Sequence, residues 1–347
     1  MNNNHLIIMA GGVGSRFWPM STVETPKQFL DILGTGKTLL QLSADRFKDK
    51  VDPAHVWVVT SENYKDLVAE QLSQIPEQQI LLEPCMRNTA PCIAYAVWKI
   101  KQKYADANIV VSPADHIVLD NQEFTRVIGD CFNYTEENEA IVTLGMQPTR
   151  PETGYGYIQA NTEDSSTIKE VVAFKEKPNL ATAKQYLEQR NYYWNGGIFF
   201  WSAATVEKVF RKYLPTMAEL FDNIAESFYT EEEQKMIQEY FPRCEKISVD
   251  YGIMEKADNI KVHPADFGWS DLGTWGSLHE QVDKDQNNNA IIGDNIKIIE
   301  SENCMVNIPN GKRYVIQGLD NYIIAEKNDT VLICKKSEEQ RIKEFSE

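Results

Sequence analysis

The chain has 347 residues, 42% of them apolar and 25% charged, with a formal charge of −16, enough for one large or two moderate globular domains. So negative a chain is excluded as a nonspecific nucleic-acid binder, which needs a basic surface. No apolar run is long enough to span a bilayer, and Met1-Asn2-Asn3-Asn4-His5 lacks the basic start and apolar core of a secretory leader, so no membrane association and a cytoplasmic location are expected.

In chain order, Leu6–Met9, Val56–Thr60, Ile80–Leu82, Ile109–Ser112 and Ala140–Leu144 are apolar, β-branched runs of strand length. Between them Leu39, Leu40, Leu42 and Phe47, then Ile93, Val97 and Ile100, then Phe124, Val127, Ile128 and Phe132 recur at helical spacing. This alternation predicts an α/β fold with a mostly parallel sheet covered by helices on both faces. Ligands of such sheets sit beyond the carboxyl ends of the strands, which brings sequence-distant loops to one crevice. After about residue 150 the texture changes. Gly154-Tyr155-Gly156-Tyr157-Ile158 reads as a turn entering a strand, and Val171–Phe174 as a strand ending in Lys175-Glu176-Lys177-Pro178. Helices are expected near Leu180–Arg190, Ala203–Tyr213 and Met217–Tyr229, interrupted by Tyr193-Trp194-Asn195-Gly196-Gly197 and the apolar run Ile198–Trp201. The polar segment Asp283–Asn289 marks a boundary. Short strands follow at Ala290–Ile292, Ile296–Ile299, Tyr314–Ile316, Tyr322–Ala325 and Val331–Cys334, then a charged stretch at Ser337–Glu347. This tail is marginal as an independent fold and needs a surface to pack on. The expected domains are therefore 1–284, with an extension over about 150–260, and a small β-rich 285–347. Six scattered cysteines form no C-x-x-C pair, so free, mostly buried thiols are expected.

The chemistry-bearing segments lie at strand ends. Ala10-Gly11-Gly12-Val13-Gly14-Ser15-Arg16 follows the first strand, and Pro26-Lys27-Gln28 comes soon after. Glycines let backbone N–H groups approach a polyanion, and Arg16 and Lys27 supply positive charge. The spacing is neither G-x-G-x-x-G nor G-x-x-x-x-G-K-[ST], so neither the Rossmann nor the P-loop template applies. Pro113-Ala114-Asp115-His116 and Trp269-Ser270-Asp271-Leu272-Gly273 each offer a carboxylate. Either alone reads as a turn former or cap; jointly, beside a phosphate cradle, they suit Mg²⁺, which takes one or two carboxylates plus phosphate and water oxygens. Glu83-Pro84-Cys85-Met86-Arg87-Asn88-Thr89-Ala90-Pro91 starts a helix. Its free amides and Arg87 suggest an anion site, and Asn88, with donor and acceptor, suits a base edge. Glu176 and Lys177 suit sugar hydroxyls and a phosphate, and Trp194-Asn195-Gly196-Gly197 offers an amide at a close-approach turn. His116 is more simply a structural hydrogen-bonder.

Taken in order over about residues 6–280, these segments resemble the sugar-phosphate nucleotidyltransferase family. Arg87-Asn88-Thr89-Ala90-Pro91 and Pro26-Lys27-Gln28-Phe29 point to its mannose/GTP branch. The resemblance implies a Rossmann-like nucleotide-diphospho-sugar transferase core (GT-A-like) and a small C-terminal domain, of β-helix-like kind, often used to form homodimers. It implies transfer of GMP from GTP to mannose 1-phosphate, by in-line attack on the α-phosphorus with release of pyrophosphate and with Mg²⁺ as cofactor. Arg16, Lys27, Asp115, Lys177 and Asp271 would be catalytic, with Asp115 and Asp271 holding the metal. Ala10, Gly11, Gly12, Gly14, Ser15, Arg16, Lys27, Arg87, Asn88 and Asp115 would bind nucleotide. Gly156, Glu176, Lys177, Asn195 and Asp271 would bind the sugar phosphate. Many relatives have Leu at Phe17, Arg at Thr22 and Ser at Gly196. Longer relatives carry an isomerase cupin for which this chain ends too early, so no isomerase activity is expected. Two other readings stand beside this one: a nucleotidyltransferase for another nucleotide or sugar 1-phosphate, and a non-catalytic nucleotide-sugar-binding regulatory subunit. The presence of Lys27, Asp115, Lys177 and Asp271 favours an enzyme.

Overall fold

The computed structural model describes residues 3–12 and 14–346; Val13 of the glycine turn, Met1 and Asn2 of the N-terminus and Glu347 of the final stretch lie outside the described residues. Contacts divide the chain into two compact units. The first comprises residues 1–11, 43–113 and 118–269, the second 12–42, 114–117 and 270–347.

Among the described residues the main sheet of the first unit has nine strands: β1 (Asn4–Met9), β2 (Val56–Ser61), β3 (Ile80–Glu83), β4 (Asn108–Pro113), β5 (Ile141–Met146), β6 (Tyr157–Ala160), β7 (Lys169–Lys175), β8 (Tyr192–Ser202) and β9 (Ile260–Ala265). They form one sheet in the order β3-β2-β1-β4-β8-β5-β9-β7-β6. β1 lies between β2 and β4, parallel to both, with Ile7 opposite Trp57 and Val111. Leu6, Ile7 and Ile8 are fully buried, as expected of a parallel strand covered on both faces. Strand order reverses at β1, so the chain leaves β1 and β4 at a topological switch point. The parallel expectation holds for β1–β4 and for the β5–β9 pair. Beyond them the sheet is mixed, because β8 runs antiparallel to both β4 and β5.

Helix Thr89–Lys101 is buried from Ala90 through Ile100, which places it in the core of the unit. Helix Asn121–Glu137 shows one apolar face and is capped by Asp120, whose carboxylate accepts from Gln122 and Glu123 amides at 3.0 and 2.9 Å. Tyr193–Gly197 interrupts the helices as expected, as the first half of β8, its residues alternating between buried and half-buried. Two expectations need correction. The helix expected over Met217–Tyr229 spans only Pro215–Asp222 before a short 3₁₀ turn. β9 was not anticipated: Ile260-Lys261-Val262-His263 alternates as a strand does, but only two strongly apolar residues precede Pro264. Among the described residues no helix is long and apolar enough to cross a membrane. The six cysteines are free, four of them buried.

The second unit contains β10 (Ala290–Ile292), β11 (Ile296–Ile299), β12 (Met305–Asn307), β13 (Tyr314–Gln317), β14 (Tyr322–Lys327) and β15 (Thr330–Lys335). β10, β12 and β14 form one parallel ladder and β11 and β13 another, a β-helix-like coil closed by antiparallel β15. β12 was missed because only Met305 and Val306 are apolar in it. The boundary expected at 285 falls inside this unit. Phe17, Ile32 and Leu39 share one core with Leu272, Trp275, Leu278, Ala290, Met305, Ile323 and Leu332. The Phe17 and Trp275 rings lie 5.2 Å apart, and truncating a buried aromatic such as Trp275 costs about 3–5 kcal/mol. The β-rich tail therefore has the packing surface it needs in the segment that carries the glycine turn.

Candidate functional site

In the second unit the glycine turn, Lys27, Asp115 and Asp271 come together. Gly14 has φ +65°, and a Cβ there would lie 2.5 Å from Lys27 Cβ, so both conformation and space require glycine. The turn is braced by Gln28, whose side-chain amide donates to Gly12 O at 2.7 Å. Ser15 and Arg16 begin a 3₁₀ turn ending at the buried Phe17. Arg16 itself is exposed. Lys27 is only 4% exposed, and its ammonium meets three oxygens: Asp115 Oδ2 at 2.9 Å, Asp271 O at 3.0 Å and Leu272 O at 2.9 Å. These match its three donors. Lys27 thus ties the two acid-bearing loops together and, as placed, has no N–H left for a phosphate.

The Asp115 side chain is one-third exposed, and its other oxygen lies 3.9 Å from His116 Nε2. Burial opposes its charge, but the Lys27 ammonium and His116 outweigh this and hold the carboxyl below its usual range. Asp271 Oδ1 accepts the Gly273 amide at 2.9 Å. Leu272 between them is buried in a left-handed conformation, φ +45°, a strain of order 1–3 kcal/mol that collects at functional loops. Thr274 and Ser277 cap the next helix reciprocally. Among the described residues no group of three or more His, Cys, Asp or Glu is placed to hold a metal ion by itself. The donor set of Asp115 and Asp271, hard oxygens with one carboxylate held ionised, fits Mg²⁺, which completes its shell with phosphate and water.

The first unit carries the rest. Ala10 is buried and tied to β2 through Val59 O and the Thr60 hydroxyl, which anchors the start of the turn. Glu83, at the end of β3, was not singled out from the sequence. It is 9% exposed, its Oε1 is buried without a hydrogen-bond partner, and a Cβ on Gly11 would lie 3.3 Å from its Oε2. Burial pushes its carboxyl up to about 8. A carboxylate at a strand end was the available signal. The anion site expected at the following helix is weaker than its sequence suggests. The Ala90 amide is bound to Ile247 O, Pro91 has none, and the Thr89 hydroxyl accepts from Val249 N. Arg87 donates to Pro242 O, so it braces the loop before residue 249. Asn88 is exposed, has φ +66° and makes no capping bond.

The expected sugar residues do come together. Gly156 faces Glu176, and a Cβ there would be 2.5 Å from Glu176 Oε2. Glu176 Oε1 accepts from Lys177 Nζ at 2.8 Å. Lys177 has φ +47°, and its amide donates to Tyr155 O at 3.2 Å. Asn195 lies opposite Gly145 in the β5–β8 pairing and donates through Nδ2 to Asp250 Oδ1 at 3.0 Å. Asp250 was not found from sequence, since a lone aspartate in Ser248-Val249-Asp250-Tyr251 carries no local signal. Burial and the neighbouring Glu176 charge raise its carboxyl to about 6. Asp271, expected in this group too, lies with Lys27 in the second unit.

The family model described as Nucleotidyl transferase matches residues 5–288. A Salmonella montevideo protein named mannose-1-phosphate guanylyltransferase is 37% identical over 98% of this chain and 73% of its own length. The xanthan biosynthesis protein XanB of Xanthomonas campestris pv. campestris is 36% identical over 97% of this chain and 71% of its own. A crystal structure described as a mannose-1-phosphate geranyltransferase from Thermus thermophilus superposes with a TM-score of 0.89 at 30% identity, covering 100% of this chain and 98% of that one.

Proposed function

The chain belongs to the nucleotidyl transferase family, and from that premise we propose that it transfers GMP from GTP to mannose 1-phosphate, giving GDP-mannose and pyrophosphate. The observation that carries this reading is the buried Lys27 ammonium, which joins Asp115 to the Asp271 loop beside a glycine turn. The name of the Salmonella relative supports the sugar and the base. Glu83 supports the base on independent grounds. Guanine presents N1–H and N2–H₂ side by side, two donors that one carboxylate accepts, whereas adenine presents an acceptor at N1. The partnerless buried oxygen of Glu83 beside Gly11 is suited to that edge once the two guanine donors hold the carboxyl, otherwise neutral up to about pH 8, in its ionised form.

In the reaction a phosphate oxygen of the sugar phosphate bonds to the α-phosphorus of GTP while the α–β bridging bond breaks, its electron pair leaving with pyrophosphate. The nucleophile is already an anion, so no side chain need remove a proton. Asp115 and Asp271 would hold Mg²⁺, which when bound supplies Lewis-acid stabilisation of the triphosphate charge. Arg16, exposed at the turn, pairs with the triphosphate, and the backbone amides of Gly12 and Gly14 approach it. Lys27 fixes the relation of the two acid loops. Lys177 orients the sugar phosphate.

The test is pyrophosphate release measured with each nucleoside triphosphate against mannose 1-phosphate and glucose 1-phosphate. GTP with mannose 1-phosphate should exceed every other pair by at least tenfold. A preference for another pair would move the assignment within the family.

A further inference from the structure

We propose that Asp250 reads the sugar: together with Glu176 it presents the carboxyl oxygens that hold neighbouring ring hydroxyls of the hexose phosphate, and Asn195 serves to position it. The proposal rests on the hexose-phosphate reading above and deepens it. Asn195 has little left to offer a ligand. Its amide oxygen accepts from Thr143 Oγ1 and from Gly197 N, both at 3.1 Å, and its amide nitrogen donates to Asp250 Oδ1 at 3.0 Å. Both lone pairs and one of two N–H bonds are engaged. What this amide does is fix the rotamer of Asp250, leaving Oδ2 as the acceptor not used by Asn195.

Glu176 shows the complementary vacancy. It is 7% exposed, its Oε1 takes the Lys177 ammonium, and its Oε2 is buried with no hydrogen-bond partner. A side chain on residue 156 would run into that same oxygen, so the glycine leaves it clear. Buried acceptors without donors are costly, and a vicinal diol supplies two donors to such a pair. A hexose also has an apolar C–H face, and Tyr155, edge-on to Trp194 and Trp269 at 5.3 and 5.4 Å, offers an aromatic wall one residue from Gly156. The charged groups acting on Asp250 are Glu176 and Lys177, and Tyr251 acts on Lys177 with it. Its carboxyl also has a backbone hydrogen bond at Asp250 itself, and burial and Glu176 still raise it to about 6, so donors from a ligand would lower it.

The test compares the wild type with Asp250→Asn in steady-state kinetics, with melting temperatures measured alongside. The KM for mannose 1-phosphate should rise at least tenfold while the KM for GTP stays within twofold. Among monodeoxy mannose 1-phosphates, the wild type should lose at least tenfold in kcat/KM on the analogue lacking the hydroxyl held by Asp250, and Asp250→Asn should lose no more than twofold on it. Asn195→Ala should raise the same KM in the wild type and add nothing in the Asp250→Asn background. Equal rises in both KM values, or intact discrimination among the analogues, would overturn the proposal and leave the guanylyltransferase reading standing. If the wild type instead prefers another hexose 1-phosphate, the same comparison runs on that sugar. If it uses none, both readings fall.

Discussion

Lys27 and Lys177 each sit beside carboxyl groups, yet the two neighbourhoods behave in opposite ways. The Lys27 side chain is 5% exposed and encircled by three oxygens, while that of Lys177 is 56% exposed and meets one. Around Lys27, Asp115 is held ionised. Around Lys177, Asp250 is pushed toward its neutral form, because burial and Glu176 outweigh the ammonium. The same residue types therefore make a finished frame in the second unit and an unfinished set of acceptors in the first. A frame fits a site that must hold phosphates and a cation in fixed relation. Unfilled acceptors fit a site that completes itself with ligand hydroxyls.

The largest effect that sharpens this contrast comes from the frame. Asp115→Asn and Lys27→Met should each lower turnover by two to three decades, about 3–4 kcal/mol in the barrier. Thermal melts should also show a loss of about 2–3 kcal/mol, because the remaining partner is left buried without its counter-charge. Near-normal turnover in either variant would end the frame as an essential feature.

Next in size is Glu83. Its folded pKa of about 8 lies above the ordinary 4.5, so the stability it contributes is present below pH 4.5 and is lost as pH rises through 8. Glu83→Gln should remove that loss and gain on the order of 3–4 kcal/mol relative to the wild type between pH 5 and 9. The same variant should weaken GTP. A constant stability difference across that range would show that Glu83 is already ionised.

Smallest is the same experiment on Asp250, whose carboxyl is raised from 3.8 to about 6. Wild-type stability should fall relative to Asp250→Asn as pH rises from about 4 through 6, by about 1 kcal/mol given its partial exposure. Asp115, lowered rather than raised, should show the reverse sign: its contribution is present above the usual carboxylate range and lost as pH falls through it. Identical pH trends for Asp115→Asn and Asp250→Asn would break the contrast.

Much of this was legible in the chain. The strand ends at Met9, Glu83 and Pro113 could be placed from their apolar β-branched runs, and so could the glycine turn, because a buried parallel strand and a left-handed glycine are local properties. The grouping of Gly156, Glu176, Lys177 and Asn195 was legible through resemblance. Other assignments shifted on folding. Arg87 carries the right charge for an anion, but one of its terminal N–H groups meets Pro242 O, a partner no motif announces. The helix start after Asn88 looked open, and the 247–249 segment closes it. Glu83 stood in plain sight within a quoted motif and acquired meaning only when its oxygen proved buried and partnerless.

Residue order alone settled the alternation of strands and helices, the family, and which loops carry cations, acids and glycines. The three-dimensional arrangement decided what each charged group does there: that Lys27 is a tie between loops rather than an exposed donor, that Asp250 joins Glu176, and that the β-rich tail shares a core with the glycine-turn segment. The reason is physical. Backbone preference and apolar period act between near neighbours in sequence, whereas the free energy of a charge or a buried polar atom depends on whatever surrounds it in space, and for Lys27 that includes a carbonyl 244 residues away.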